Sequence, residues 1–182
     1  MKNLKTATLV RIALMTAVLC VLGPLSIPIG PVPVSLGTFA VLLAVSILGM
    51  REGAVATLLY LLIGAIGIPV FSGFSGGFAK LAGPTGGYLV GYIPLALIGG
   101  WFIHRFRSAA LQYAGCVIGM AVCYLLGTSW LAHQAGMTFQ AALAAGVLPF
   151  IVVDLIKIAA AIAAGRAVRA RIPEMLPGPA TN

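Results

Sequence analysis

The feature that most constrains this chain is a succession of apolar segments, at roughly 9–28, 36–50, 53–70, 86–103, 110–131 and 143–165, joined by short connections. A helix crossing ~30 Å of hydrocarbon needs about 20 apolar residues, so six such spans would use roughly 120 residues. The chain has 182, which leaves no room for a large soluble catalytic domain. Apolar residue types make up 61% of the sequence and charged ones 8%, against about 45–50% and about 25% in a soluble domain. A soluble enzyme, a disordered chain and a disulfide-stapled secreted domain are all excluded. The net charge is +8, but the basic residues are scattered between apolar stretches and form no basic helix face, so no nucleic-acid partner is expected. Cys20, Cys116 and Cys123 lie inside apolar segments and read as small buried hydrophobes. The first segment follows Lys2, Lys5 and Arg11; without an A-x-A-type cleavage site it reads as a retained helix, not a signal peptide.

The second segment is short for a span, and charge placement arbitrates. With six spans and a cytoplasmic N-terminus, Lys2, Lys5, Arg11, Arg51, Arg105, Arg107, Arg166, Arg169 and Arg171 all fall inside, and only Lys80 falls outside. Removing the second span scatters the same residues over both sides. The positive-inside rule therefore favours six spans with both termini cytoplasmic. The expected architecture is an all-α integral membrane protein of the plasma (inner) membrane. Residues 1–172 would form a single six-helix domain in the bilayer, and 173–182 a disordered cytoplasmic tail.

Topology assigns three outer loops, at roughly 29–35, 71–85 and 132–142. In the first, Pro28, Pro31 and Pro33 favour extended backbone. The second carries Phe71, Phe74, Phe78, Lys80 and several glycines, and Tyr88 follows it. A loop this long, rich in glycine and aromatics, reads as a binding surface. Thr85 is placed to cap the fourth span, with Gly86 and Gly87 opening it; its free N–H groups would suit an anionic ligand group.

Asp154 and Lys157 are the most informative residues. They lie three apart in the last apolar segment, on one helix face. Each costs about 2.5–3.5 kcal/mol near a bilayer centre, so the pair must face protein or a polar cavity. One reading is an ion pair that holds the bundle together. The other is a binding site in the outer half of the membrane, offering a cation and an acceptor to a small, mostly apolar molecule with a carboxylate and N–H donors.

Other motifs carry less. Gly73-Phe74-Ser75-Gly76-Gly77 satisfies G-x-S-x-G, and its first four residues resemble the G-x-S-G of rhomboid proteases. An intramembrane serine protease using Ser75 is thus the enzyme-class alternative. It lacks a base, because His104 is expected on the opposite side, His133 lies in an outer loop and the last span has no histidine. No metal-ligand cluster and no P-loop motif occurs, so no metal, cofactor or catalytic residue is expected. Ala13/Ala17, Gly87/Gly91 and Gly115/Gly119 form small-xxx-small pairs that read as close helix packing, with Ala13/Ala17 able to face another protein. Glu52 reads as a solvated local partner of Arg51.

Four segments together resemble the BioY family over about residues 9–165. They are the run from Pro31-Val32-Pro33-Val34-Ser35 to Ala44, Gly67-Ile68-Pro69-Val70-Phe71-Ser72-Gly73, Gly83-Pro84-Thr85-Gly86-Gly87-Tyr88, and Asp154-x-x-Lys157. That family comprises the biotin-capturing S components of energy-coupling-factor (ECF) transporters. The resemblance implies a six-helix S-component bundle with an outer biotin pocket, no enzymatic step, and partnership with a transmembrane coupling subunit and ATPase subunits. It implies that Asp154 and Lys157 bind ligand, with Asp154 accepting ureido N–H donors and Lys157 balancing the carboxylate or supporting Asp154. Ser35, Phe71, Phe74, Thr85, Gly86, Gly87 and Tyr88 are the further candidate ligand-binding residues. Ala13 and Ala17 fit the family's A-x-x-x-A contact with the coupling subunit. Gly37, where many relatives carry Gln, and Lys80, where many carry a smaller or uncharged residue, depart from the pattern. An S component for a different vitamin is the remaining alternative.

Overall fold

The computed structural model describes residues 6–29 and 32–171. The proposed tail at 173–182, Lys2, Lys5 and Gly30-Pro31 of the first outer loop lie outside the described residues. The chain runs α1 (Thr6–Leu22), β1 (Ser26–Ile27), β2 (Val34–Ser35), α2 (Gly37–Leu48), α3 (Met50–Ala65), α4 (Phe78–Ala82), α5 (Gly86–Arg105), α6 (Ala109–Ala135), α7 (Phe139–Gly146) and α8 (Ile151–Arg171). Six principal helices follow the six apolar segments in order, with α4 and α7 as short additions.

Local chemistry sets the boundaries. Pro24 cannot continue α1, which ends on a Gly23 N–H to Leu19 carbonyl bond of 2.8 Å. Flanking the first outer loop, extended backbone is present: β1 and β2 pair antiparallel, Ser26 with Ser35 and Ile27 with Val34. Gly49, at φ 82°, makes the sharp turn between α2 and α3, a conformation that favours glycine. Beyond α3, Gly67 at φ 109° starts the long loop.

Among the described residues two helices, α5 and α6, are long and apolar enough to cross a membrane alone. The last apolar segment is not the single helix expected at 143–165. It is the pair α7 and α8, which meet the criterion together but bend by 52° at the break. Pro149, which has no N–H to donate, sits in that break. α1 and α2 are apolar but shorter; the 12 residues of α2 cover only ~18 Å. The outer loop expected at 132–142 is largely helical, since α6 runs on to Ala135, where Gly136 at φ 61° caps it, and α7 begins at Phe139.

Close approach of α5 and α6 rests on small residues. A Cβ on Gly91 would stand 2.8 Å from the Cys123 sulfur, one on Gly99 3.4 Å from that of Cys116, and one on Gly119 3.2 Å from Leu95. Gly87 and Gly115 give way likewise to Trp130 and Phe102. The buried Cys116 and Cys123 are thus packing groups, as read from the sequence, and all three cysteines are free thiols.

The described arginines gather at one end. Arg11 pairs with Glu52 through contacts of 3.0 and 3.1 Å, so Glu52 bridges α1 to α3 instead of pairing with Arg51 as expected. Arg166 reaches Gln112 and the Arg107 carbonyl, and Arg169 reaches the Ile47 carbonyl at 2.9 Å. At the other end, Trp130 and Gln134 of α6 hold the carbonyls of Gly83 and Ala82. Phe71 is fully buried there, edge-on to Tyr60 at 5.5 Å between ring centroids. It fills the space left by Gly64, where a Cβ would run into the ring. Gly64→Ala should therefore lower stability by about 1–3 kcal/mol, read as a drop in the melting temperature of the purified protein; an unchanged melting temperature would show that the Phe71 loop is not packed on α3.

Candidate functional site

The 147–150 break starts α8 beside the β-hairpin and leaves Asp154 in its first turn, where the positive end of the helix dipole favours a carboxylate. Lys157, one turn on, shares its face. Both are buried, at 4% and 8% exposure, so the pair points into the protein and away from lipid. The ammonium donates to Asp154 Oδ1 at 2.8 Å, to the Ser35 carbonyl at 2.7 Å and to Thr38 Oγ1 at 3.3 Å. An ammonium has three N–H groups, and all three are used. The carboxylate also accepts from Thr38 Oγ1 at 3.2 Å on Oδ1 and from the Tyr124 hydroxyl at 2.5 Å on Oδ2. Those bonds fill three of roughly four acceptor positions of a carboxylate, so one remains, on Oδ2.

The pair forms the floor of a cavity of about 50 Å³. Val32 and Pro33 roof it; Ser35 and Thr38 close one side. Tyr88 and Tyr92 of α5 and Tyr124 of α6 form an aromatic wall, completed by Phe150 before α8. Tyr88 is fixed by a 3.3 Å hydrogen bond between its hydroxyl and Thr128, and its ring packs where Gly127 and Gly146 leave room. A wider apolar cavity of about 170 Å³ lies between α6 and α8 and shares Asp154 and Tyr124 with the first.

Of the residues singled out from sequence, the structure brings Asp154, Lys157, Ser35 and Tyr88 together around this cavity. It does not bring Phe71, Phe74, Thr85, Gly86 or Gly87 to it. Phe71 is packed on α3, and Phe74 is 67% exposed at the loop tip. Thr85 precedes α5, but its side chain makes no cap hydrogen bond. Gly86 lies against the Leu81 carbonyl and Gly87 against Trp130, so the start of α5 is covered by packing and offers no anion site. Thr38, Tyr92 and Tyr124 were not singled out; their apolar context hides them, and only the i,i+4 step from Tyr88 to Tyr92 would have drawn attention to one. Ala13 and Ala17 are both exposed, on a face of α1 that also exposes Val10, Leu14 and Val21.

Among the described residues no histidine or carboxylate is hydrogen-bonded to Ser75. Its hydroxyl donates to the Ser72 carbonyl at 2.8 Å. His104 belongs to the basic end, and His133 is exposed in the last turn of α6. The serine-protease alternative has no geometric support.

Removing one member of a buried ion pair leaves an uncompensated charge, at about 3–5 kcal/mol. Lys157→Met should therefore destabilise the protein strongly, and the double variant Asp154→Asn/Lys157→Met should recover much of that loss. Thermal unfolding measures both; a Lys157→Met variant as stable as the wild type would contradict the pairing.

A family model, the BioY family, matches residues 1–174. The chain is 44% identical over 151 residues to a Pyrococcus horikoshii protein named probable biotin transporter BioY, covering 83% of this chain and 89% of the relative. It is 41% identical over 158 residues to biotin transporter BioY2 of Lactococcus lactis, covering 86% and 87%. Its fold matches a crystal structure described as the S-component for biotin from an ECF-type ABC transporter, with a TM-score of 0.85 and 30% identity over 93% of this chain and 94% of that one. The family resemblance and the all-α fold read from the sequence are borne out: this chain belongs to the BioY family, as a multi-pass protein of the plasma membrane.

Proposed function

We propose that this chain is the biotin-capturing subunit of an ECF-type uptake transporter and that biotin binds between the α5–α6 tyrosines and the Asp154–Lys157 pair. The observation that carries the site is the acceptor position left open on Asp154 Oδ2, inside a cavity walled by aromatic side chains. Biotin presents N–H donors on a compact ureido ring, with an apolar body and a carboxylate tail. A buried carboxylate accepts such a donor well, and an aromatic wall suits the apolar body. Transport fits the relatives' names, and the chain needs no chemical step.

Lys157 has its three N–H groups engaged, which favours its supporting Asp154 over meeting the biotin carboxylate directly. The cavity, at about 50 Å³, is far below the roughly 300–1,000 Å³ of ligand pockets. Biotin therefore enters by moving a wall. Val32 and Pro33 are the part of that wall carried by the β-hairpin, held by the two-pair β1–β2 ladder, a 2.9 Å bond from Leu36 N–H to the Leu25 carbonyl and the burial of Val32 in a cluster with Tyr88, Leu131 and Phe150.

Isothermal titration of the purified protein tests this reading. Biotin should bind, and absence of binding at micromolar biotin would refute it. Asp154→Asn replaces an acceptor oxygen with a donor, and at about 1.5–3 kcal/mol for a charged hydrogen bond the affinity should fall by roughly ten- to a hundredfold. Unchanged affinity in that variant would remove Asp154 from the site.

Ala13 and Ala17 leave a shallow stripe on the exposed apolar face of α1, where a helix of the coupling subunit can approach closely. Ala13→Trp should abolish copurification of the coupling and ATPase subunits while leaving biotin affinity within about twofold; retained assembly would take Ala13 out of the interface.

A further inference from the structure

At the opposite end from the tyrosine-walled site lies a larger cavity of about 500 Å³, between the α2–α3 turn and the end of α5. Its lining is basic, with Arg51, His104 and Arg105. Glu52 is the carboxylate on its wall, and Arg11 already neutralises it at 3.0 Å. The first turn of the 16-residue α3 also faces the cavity. Its N-cap is Gly49, which has no side chain to cap with, and the first bond into the helix is Gly53 N–H to the Gly49 carbonyl at 3.0 Å. The N–H groups of Met50, Arg51 and Glu52 thus have no intrahelical partner.

A second observation is independent of the helix end. Arg169 Nη2 and His104 Nδ1 are both buried and have no hydrogen-bond partner. They converge: a single point one Cβ bond from Gly49 would lie 3.6 Å from each. A desolvated guanidinium N–H without an acceptor is costly, and an anion seated beside Gly49 would satisfy it together with the helix N–H groups. The rest of the wall is apolar, from Leu48, Met50 and Trp101. Trp101 is 47% exposed, as tryptophan is at a membrane–water interface.

We propose that this cavity is a binding site for a phosphate group, carried on an anionic phospholipid of the cytoplasmic leaflet or free in solution. The positive-inside distribution puts the basic end at the cytoplasmic surface, where basic pockets between helices take anionic headgroups. Arg51 and Arg105 supply the charge, the first turn of α3 supplies N–H donors, and His104 lines the wall, with the Arg169 guanidinium behind Gly49. The site stands apart from the biotin reading and does not depend on it.

Native mass spectrometry of the delipidated protein in detergent tests it, with phosphatidylglycerol, phosphatidylcholine and inorganic phosphate as probes. Wild-type protein should retain one phosphatidylglycerol at least tenfold better than phosphatidylcholine. Arg51→Gln/Arg105→Gln, checked for folding by its melting temperature, should retain both lipids equally. Displacement of phosphatidylglycerol by millimolar phosphate, or arginine-dependent binding of phosphate alone, assigns the site to the free anion; resistance to phosphate assigns it to the headgroup. Equal retention of the two lipids by the wild type with no phosphate bound, or full phosphatidylglycerol retention by the double variant, would overturn the proposal. The wild-type comparison decides even if the double variant fails to fold.

Discussion

An ion pair in low dielectric is stable only if every charge-bearing atom has a partner, and the Asp154–Lys157 pair imposes that demand on its surroundings. Lys157 needs three acceptors and finds them on the partner carboxylate, Thr38 and the Ser35 carbonyl. The last two sit where the β-hairpin passes into α2. A short α2 follows: its first turn must start at the depth of the ammonium, so the chain reaches that depth as extended backbone. The break before α8 has the same origin, because it puts a helix start, with its positive dipole end, beneath Asp154.

Glycine and cysteine govern the opposite wall. Without side-chain bulk at Gly91, Gly99 and Gly119, α5 and α6 approach closely, with sulfur atoms filling what remains. That approach turns Tyr88, Tyr92 and Tyr124 toward the pair. Tyr124 then links the two halves, since its hydroxyl is bonded to Asp154. Through Tyr124 the aromatic wall is tied to the charged floor, in a hydrogen-bonded unit whose other parts are Ser35, Thr38 of α2 and the pair on α8.

The six apolar segments and the buried pair were legible in the sequence for one reason: charge in an apolar run is expensive, so its placement carries information. Arg51, Arg105 and Arg166 marked one end of the bundle by the same logic. Thr38 and Tyr124 were not legible, because a threonine or tyrosine in an apolar helix looks the same whether it meets lipid, core or a carboxylate; only the tertiary fold tells. The glycine-rich loop misled in the other direction. Its aromatics suggested a binding surface, but Phe71 turns inward to fill the space above Gly64, and Thr85 to Gly87 are occupied by helix packing. The last segment, expected as one span over 143–165, is instead broken around Pro149 into two helices, because a proline cannot donate the N–H that a continuous helix needs there.

The central claim is that the sheltered ion pair is both a structural unit and the floor of the ligand site. Ligand-induced thermal stabilisation, measured side by side on the wild type and on the charge-free Asp154→Asn/Lys157→Met variant, separates these roles, because a ligand stabilises only a folded state that binds it. The account predicts that saturating biotin raises the melting temperature of the wild type and raises that of a folded double variant far less. An equal rise in both proteins would mean that biotin binds elsewhere and that the pair serves the bundle alone.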